Sequence, residues 1–173
     1  MVATANYITI VANGTMRDWG IFHTFALRII ECTPLSMKSN KIYSVLLADD
    51  DSDEIELLVE SFENQDRFKI VFVAKNGVEV VDYITENPNT VDIIISDMFM
   101  PAMTGLEAVE NLISSNLIEE TLTVIFSNTV NVENQEKFAA TRLLKFYTKP
   151  SSITEYNTLP EKLINIFQAN SQH

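Results

Sequence analysis

From Lys41 onward, apolar and polar residues follow two alternating periods. Short apolar runs, typical of strands buried on both faces, are each followed by a segment with apolar residues at helical spacing. The predicted strands are 42–48, 69–74, 91–96, 122–126 and 145–148, and the predicted helices are about 51–62, 77–87, 105–115, 132–144 and 159–169. Five strand and helix units in succession predict an α/β fold, with a parallel sheet covered by helices on both faces.

Local signals predict where two of these helices begin. Asp51 and Glu54 have the spacing of a capping box, which places the start of the first helix directly after the first strand. Pro160 is predicted to lie in the first turn of the last helix, where a missing N–H group costs nothing.

Residues 1–40 do not continue the pattern. Their weak amphipathic stripe, which includes Trp19 and Phe22, is interrupted or flanked by Gly14 and Gly20. One interpretation is an arm that docks on the domain or on a partner. The other is an extension without a defined role, ahead of a natural start at Met37, and we favour it because chain ends are usually loose. The expected organisation is a poorly ordered extension at 1–40 and one domain at 41–170, with no output domain.

Composition narrows the function classes. A chain of 173 residues fits one domain, and 24 acidic against 12 basic residues disfavour direct binding to DNA or RNA. The single cysteine, Cys32, permits neither an intrachain disulfide nor a thiolate metal cluster. No apolar run approaches 18 residues, so we expect no membrane span and a cytoplasmic setting.

Residues able to do chemistry follow four of the predicted strands. Asp49 and Asp50 follow the first strand, Asp97 the third, Ser127 the fourth and Lys149 the fifth. Parallel strands bring their carboxyl ends to one edge of the sheet, where crowded carboxylates repel one another unless a cation joins them. Mg²⁺ prefers such oxygen ligands and implies an anionic substrate. The ammonium and the hydroxyl could then stabilise phosphoryl transfer, with an ionised aspartate as nucleophile.

Each of these residues also has a purely structural interpretation. Asp49 and Asp50 could be solvated acids at a helix N-terminus, Asp97 and Ser127 could stabilise turns, and Lys149 could be a surface lysine. Their joint occurrence on successive strand ends favours a common site.

These motifs together resemble the receiver domain of two-component response regulators over about residues 41–169. The resemblance is carried by the acid pair at 49–50, by Asp97-x-x-x-Pro101-x-x-x-Gly105, by Ser127 and by Lys149-Pro150. It implies a flavodoxin-like (βα)5 fold with strand order 2-1-3-4-5. It also implies a stand-alone receiver in a phosphorelay, which does not act as an enzyme beyond its own phosphorylation and dephosphorylation.

The resemblance implies a role for each acid. Asp97 would accept a phosphoryl group from a phosphohistidine on a sensor histidine kinase or a histidine phosphotransfer protein. Asp49, Asp50, Asp97 and the backbone carbonyl of Phe99 would hold Mg²⁺.

It also implies a switch. Lys149 would pair with the phosphoryl oxygens, Ser127 would turn toward them, and Phe146 would be the switch aromatic. The last two helices and the fifth strand would then present a changed face to a downstream protein. The Lys149–Pro150 bond is a candidate for a cis peptide.

The sequence departs from the family pattern beside the hydroxyl. Asn128 is larger than the usual Ala or Gly, and Phe99 and Thr129 occupy variable positions. We hypothesise that the bulk of Phe99 and Asn128 restricts water and changes the lifetime of the phosphorylated form.

Other function classes remain open to different degrees. A haloacid-dehalogenase-like phosphatase needs a second acid two residues after its nucleophile, where this chain has Phe99. Neither G-x-G-x-x-G nor G-x-x-x-x-G-K occurs, so nucleotide binding is set aside. A degenerate receiver that serves only as a phosphorylation-independent docking module is the alternative.

Overall fold

The computed structural model describes residues 41–129 and 132–170, and the predictions for residues 1–40 therefore lie outside the described residues. Five strands alternate with five helices in the described part. The elements are β1 (Tyr43–Ala48), α1 (Ser52–Glu63), β2 (Phe68–Ala74), α2 (Gly77–Glu86), β3 (Ile93–Asp97), α3 (Gly105–Ser114), β4 (Leu122–Ser127), α4 (Val132–Lys137), β5 (Leu144–Thr148) and α5 (Ile153–Asn170). None of these helices is long and apolar enough to cross a bilayer.

All five strands pair in parallel, in the order β2-β1-β3-β4-β5, so the predicted fold and strand order are confirmed. The chain first moves outward from β1 to β2 and then returns past β1 to β3. The change of direction lies between β1 and β3, and open α/β sheets bind ligands at such a point, beyond the carboxyl ends of the strands.

Two apolar clusters, one on each face, hold the helices on the sheet. On one face, residues such as Phe62 of α1 and Leu163 of α5 pack against Val45 and Ile95 of the central strands. On the other face, α2 and α3 cover the alternate side chains of the same strands, including Leu46 and Ile94. Because the central strands are buried on both faces, they are apolar throughout, which is the pattern that the sequence showed.

The fourth helix is shorter than predicted. The pattern suggested a helix over 132–144, but α4 ends at Lys137 and the chain continues through turns to β5. The reason lies in Leu143 and Leu144, which are both buried but belong to clusters on opposite faces of the sheet. Consecutive side chains of a helix lie on neighbouring parts of its surface, so a helix could not place these two leucines on opposite faces of the sheet.

Pro160 was predicted to lie in the first turn of the last helix, but it is the eighth residue of α5. The helix begins earlier because Ser152 and Glu155 form its start: the Ser152 hydroxyl accepts from the Glu155 N–H at 3.3 Å. Pro160 has no N–H for the carbonyl of Tyr156, four residues before it. The buried hydroxyl of Ser61 on α1 donates to that carbonyl instead, at 2.5 Å. The proline is thus tolerated because a neighbouring helix supplies the missing donor.

The capping box predicted for α1 does not form. Asp51 is the N-cap and accepts from the Asp53 N–H at 2.9 Å, but its own N–H donates to Asp49 Oδ1 at 3.0 Å. Glu54, the other half of the predicted box, accepts instead from the hydroxyl of Tyr156 on α5. The start of α1 is therefore bonded to the candidate site on one side and to α5 on the other.

Candidate functional site

The strand ends bring the predicted residues to one edge of the sheet. Asp49 directly follows β1, Asp97 is the last residue of β3, Ser127 is the last residue of β4, and Lys149 directly follows β5. Asp49, Asp97 and Ser127 are buried although they are polar. Buried polar groups are costly unless they are paired, so their bonding partners decide what the site can do.

Three carboxylates form the centre of the site. Asp49, Asp50 and Asp97 each offer an oxygen, and these atoms all lie within 4.8 Å of one another. Asp49 is 5% exposed and Asp97 is 7% exposed, whereas Asp50 is on the surface. The cluster is therefore an open pocket that solutes can reach from the side of Asp50.

The Lys149 ammonium bridges the two buried acids. Its Nζ lies 2.9 Å from Asp49 Oδ2 and 2.9 Å from Asp97 Oδ1. Burial by itself lowers the pKa of Lys149, but the hydrogen bonds and charges of the two carboxylates outweigh it, so the pKa lies above its ordinary value. The side chain thus stays a cation at any physiological pH and is in place to bind further anionic oxygens.

The surroundings of Asp49 disfavour its charged form. Burial raises its pKa, the Asp51 N–H and Lys149 offset part of that effect, and the charge of Asp97 adds to it. The net direction is upward, which shows that Lys149 alone does not fully compensate the buried carboxylate.

The charge balance of the pocket fits a divalent cation. Three carboxylates face one ammonium group, which leaves two negative charges when all four groups are ionised. A small oxygen-ligated ion such as Mg²⁺ matches both the charge and the ligand type. Asp49, Asp50 and Asp97 are the residues that would hold it, and the predicted contribution of the Phe99 carbonyl stays a prediction.

The loop after β3 holds Asp97 in a fixed orientation. The Phe99 N–H donates to Asp97 Oδ2 at 2.7 Å, and the Gly105 N–H closes the loop on the Met98 carbonyl at 3.1 Å. A Cβ atom on Gly105 would lie only 2.0 Å from the Asp97 carbonyl oxygen. Only glycine therefore fits where α3 begins, which is the physical reason for the Asp-to-Gly spacing in the motif.

The end of β4 places Ser127 beside the pocket, and the two residues that follow it lie on the surface. Ser127 is buried, and its Oγ accepts a long hydrogen bond from the Thr129 N–H at 3.4 Å. Asn128 and Thr129 are exposed, and Phe99 is 67% exposed. Because this hydrogen bond is long and therefore weak, the Ser127 hydroxyl can turn toward another acceptor at little energetic cost.

The predicted switch pair lies on one face of the sheet. In the β4–β5 register, Ser127 is opposite Thr148 and Ile125 is opposite Phe146. Side chains two residues apart in a strand share a face, so Phe146 is a diagonal neighbour of Ser127. Its ring is partly buried and lies 6.0 Å from the ring of Phe138. Movement of the hydroxyl would therefore change the space available to this aromatic side chain.

The Lys149–Pro150 bond is trans, so its prediction as a cis candidate was wrong. The Lys149 N–H donates to the Ser127 carbonyl at 3.0 Å, which continues the β4–β5 ladder by one residue. This contact already places the ammonium over the pocket, and trans is the lower-energy isomer of most bonds before proline.

Sequence reasoning missed Tyr156, which approaches the pocket from α5. Its hydroxyl donates to Glu54, and its pKa is raised by burial, by Glu54 and by the charges of Asp49 and Asp51. Tyr156 and Glu54 are 102 residues apart, so no local pattern could have predicted their contact. The tyrosine joins the start of α5 to the start of α1 next to the acids.

Comparison with known proteins places this geometry in context. A family model described as the response regulator receiver domain matches residues 45–159. Among curated proteins, the chain is 29% identical over 133 residues to a protein-glutamate methylesterase/protein-glutamine glutaminase of Methanococcoides burtonii, covering 72% of this chain and 36% of that protein. It is 30% identical over 115 residues to the two-component response regulator EHD1 of Oryza sativa, covering 66% of this chain and 32% of that protein. The chain thus spans about a third of the length of these relatives.

Solved structures agree with these matches. The response regulator domain of Thermotoga maritima CheB is 27% identical, with a TM-score of 0.60, and the match covers 77% of this chain and 99% of that one. The receiver domain of the Francisella response regulator 1452 is 26% identical, with a TM-score of 0.58, and the match covers 73% of this chain and 98% of that one. In both comparisons nearly the whole of the solved domain is matched.

Proposed function

Since the chain belongs to the family of response regulator receiver domains, which act in two-component signalling, we propose that Asp97 accepts a phosphoryl group in a Mg²⁺-dependent reaction. The donor is a phosphohistidine on a sensor histidine kinase or a histidine phosphotransfer protein. The observation that carries this proposal is the arrangement around Asp97, whose carboxylate lies among two further acids and the Lys149 ammonium.

The nucleophile is a carboxylate oxygen of Asp97. Its Oδ2 accepts from the Phe99 N–H, whereas its Oδ1 contacts the Lys149 ammonium. Oδ1 attacks phosphorus while the phosphorus–nitrogen bond of the donor breaks and the imidazole leaves with the electron pair. When bound by Asp49, Asp50, Asp97 and the Phe99 carbonyl, Mg²⁺ neutralises part of the charge that the phosphoryl group brings into the pocket.

Lys149 and Ser127 stabilise the product. A phosphoryl group adds about two negative charges beside acids that are already present. Lys149 transfers its contact from Asp97 Oδ1 to a phosphoryl oxygen, and Ser127 exchanges its long bond to Thr129 for a bond to another. Both residues keep their backbone positions, because the Lys149 N–H already pairs with the Ser127 carbonyl.

The switch follows from the Ser127 bond, which exists only in the phosphorylated state. A modification shifts a conformational equilibrium only through contacts that differ between the states. When the hydroxyl turns inward, Phe146 can move into the space beside it, away from Phe138. The surface formed by α4, β5 and α5 then changes shape for a downstream protein. Because the chain carries 24 acidic and 12 basic residues, the domain passes its signal to a protein and makes no direct contact to DNA.

Phosphorylation by a small donor tests this function. The full chain is incubated with acetyl phosphate and Mg²⁺, and its intact mass is measured. We expect one added phosphate in the wild type. We expect none when a chelator is present during the incubation, and none in Asp97→Asn. The matched control is Asp82→Asn, which makes the same chemical change at an exposed position of α2 and should leave phosphorylation intact.

The same experiment separates the competing functions. A phosphate that is taken up by Asp97→Asn as well would contradict the assignment of the acceptor. A folded chain that takes up no phosphate would be a docking module. Continuous consumption of the donor without a phosphorylated intermediate would indicate a phosphatase.

A further inference from the structure

Tyr156 connects α5 to α1 at two points. Its backbone carbonyl accepts from the buried Ser61 hydroxyl at 2.5 Å, and its side-chain hydroxyl donates to Glu54 Oε2. Glu54 and Ser61 are separated by about two helical turns, so both contacts lie on the face of α1 that packs against α5. One buried tyrosine therefore holds α1 near its start and near its end.

The contact with Glu54 holds the part of α1 that follows the acid pair. Glu54 lies in the first turn of this helix, whose N-cap is Asp51. The Asp51 N–H donates to Asp49 Oδ1 at 3.0 Å, so the start of the helix is bonded to a buried acid of the pocket. Two hydrogen bonds, one at each side of this first turn, thus connect α5 to the pocket.

Asp50 depends on this connection for its position. Its side chain is on the surface and makes no hydrogen bond or ion pair with any described residue. One of its oxygens nevertheless lies within 4.8 Å of oxygens of Asp49 and Asp97. Like charges so close together repel one another, so the backbone on either side must keep Asp50 at the pocket. On one side that backbone is β1, and on the other it is the start of α1.

We propose that Tyr156 is a positioning residue for the magnesium site, and that its hydroxyl, through Glu54, holds Asp50 in place before the ion binds. The inference rests on the proposed function, which assigns Mg²⁺ to the three acids. Ligands that are already in position need not be ordered when the ion arrives, so the ion binds more tightly. Without the hydroxyl, the first turn of α1 can move outward under the repulsion of the acids, and ion binding must then reverse that movement.

The two contacts of Tyr156 can be removed separately. Tyr156→Phe keeps the ring in the core, the carbonyl that accepts from Ser61 and every charge of the pocket. Ser61→Ala removes the contact near the end of α1 and keeps the one with Glu54. A positioning role therefore distinguishes the variants, because the first should weaken ion binding and the second should lower only the free energy of unfolding.

Mg²⁺ binding by the full chain, measured without a phosphodonor, tests the proposal. The ion is titrated at constant ionic strength, and the backbone amide of Asp50 is followed by NMR. We expect Tyr156→Phe to raise the Kd about three- to tenfold, which is less than the loss of about 10–100-fold expected when a group bonded directly to a metal ligand is removed. Tyr83→Phe is the matched control, because it removes a hydroxyl that donates to the Val71 carbonyl on the other face of the sheet. This variant and Ser61→Ala should leave the Kd unchanged.

A double-mutant cycle assigns the effect to the contact with Glu54. Tyr156→Phe should raise the Kd in the wild type and have no further effect in the Glu54→Ala background. Equal effects in both backgrounds, an equal rise in Ser61→Ala, an unchanged Kd in Tyr156→Phe, or a wild type that binds no Mg²⁺ would overturn the proposal. Because no phosphodonor is present, a wild type that binds Mg²⁺ but takes up no phosphate contradicts the proposed function alone.

Discussion

Replacing Ser61 by alanine should destabilise the domain through the proline in α5. The Ser61 hydroxyl donates to the Tyr156 carbonyl, which Pro160 deprives of its helical partner, and Ser61 is 2% exposed. Without the hydroxyl, the carbonyl has no donor of its own helix and little access to water. Ser61→Ala therefore creates a buried unsatisfied acceptor rather than merely removing a hydrogen bond.

The expected magnitude follows from that distinction. Leaving a buried acceptor unpaired costs about 1–3 kcal/mol, whereas a typical exposed hydrogen bond contributes about 0.5–1.5 kcal/mol or less. For a chain of this size, 1 kcal/mol lowers the melting temperature by about 2–4 °C. Ser114→Ala is the matched control, because Ser114 donates to the Asn111 carbonyl from an exposed position, and we expect a change below about 0.5 kcal/mol.

A double-mutant cycle with Pro160→Ala isolates the mechanism. Alanine restores the N–H group that can donate to the Tyr156 carbonyl, so the cost of Ser61→Ala should fall by about 1 kcal/mol or more in that background. Urea unfolding monitored by circular dichroism measures all four free energies of unfolding. Additive effects of the two substitutions would refute the role that we assign to Ser61.

Three further predictions concern the pocket and its loop. Burial raises the pKa of Asp49 in the folded state, and such a carboxyl adds stability at low pH that is lost as the pH rises. Asp49→Asn should therefore become more stable relative to the wild type as the pH rises above about 4, measured by urea unfolding at each pH, and a parallel dependence in both proteins would contradict it. Phe99→Ala and Asn128→Ala should each shorten the lifetime of the acyl phosphate several-fold by admitting water, timed by intact mass after removal of the donor, and unchanged lifetimes would discard that hypothesis. Ala102 has a φ of 62°, so Ala102→Gly should stabilise the domain by about 0.5–1 kcal/mol in thermal unfolding, because the relieved strain exceeds the entropic cost of glycine, and an unchanged or lower melting temperature would contradict it.

The fold could be predicted from the sequence because its signals are local. Each central strand is apolar on both faces, and each is followed by a turn or an acid, so the alternation of periods alone gave the five units. The predictions failed where tertiary contacts determine the bounds of a helix. Leu143 and Leu144 were predicted to end a helix, but a helix could not bury them in clusters on opposite faces of the sheet. Pro160 suggested a helix start, yet Ser61 allows the helix to pass through it.

The membership of the pocket could also be predicted, since parallel strand ends converge on one edge. The ion pairs and hydrogen bonds within the pocket could not be predicted. The bridge from Lys149 to both Asp49 and Asp97 joins the fifth strand to the first and the third. The contact from Tyr156 to Glu54 displaces a capping box that the local spacing favoured. In each case the partner is far away in the sequence, 100 residues for Lys149 and Asp49 and 102 for Tyr156 and Glu54, where short-range patterns carry no information.

The negative charges of the pocket are only partly balanced by positive charge. One ammonium group serves two buried carboxylates, and the raised pKa of Asp49 shows the remaining electrostatic cost. In the function that we propose, a bound divalent cation would remove that cost, and an incoming phosphoryl group would restore negative charge and draw Lys149 away from Asp97. Both events would change the partners of Lys149 and Ser127, whose strands are joined by the Lys149 N–H bond. A change of charge at Asp97 would thereby become a change of contacts on β4 and β5, which is the physical requirement for a signal that another protein can read.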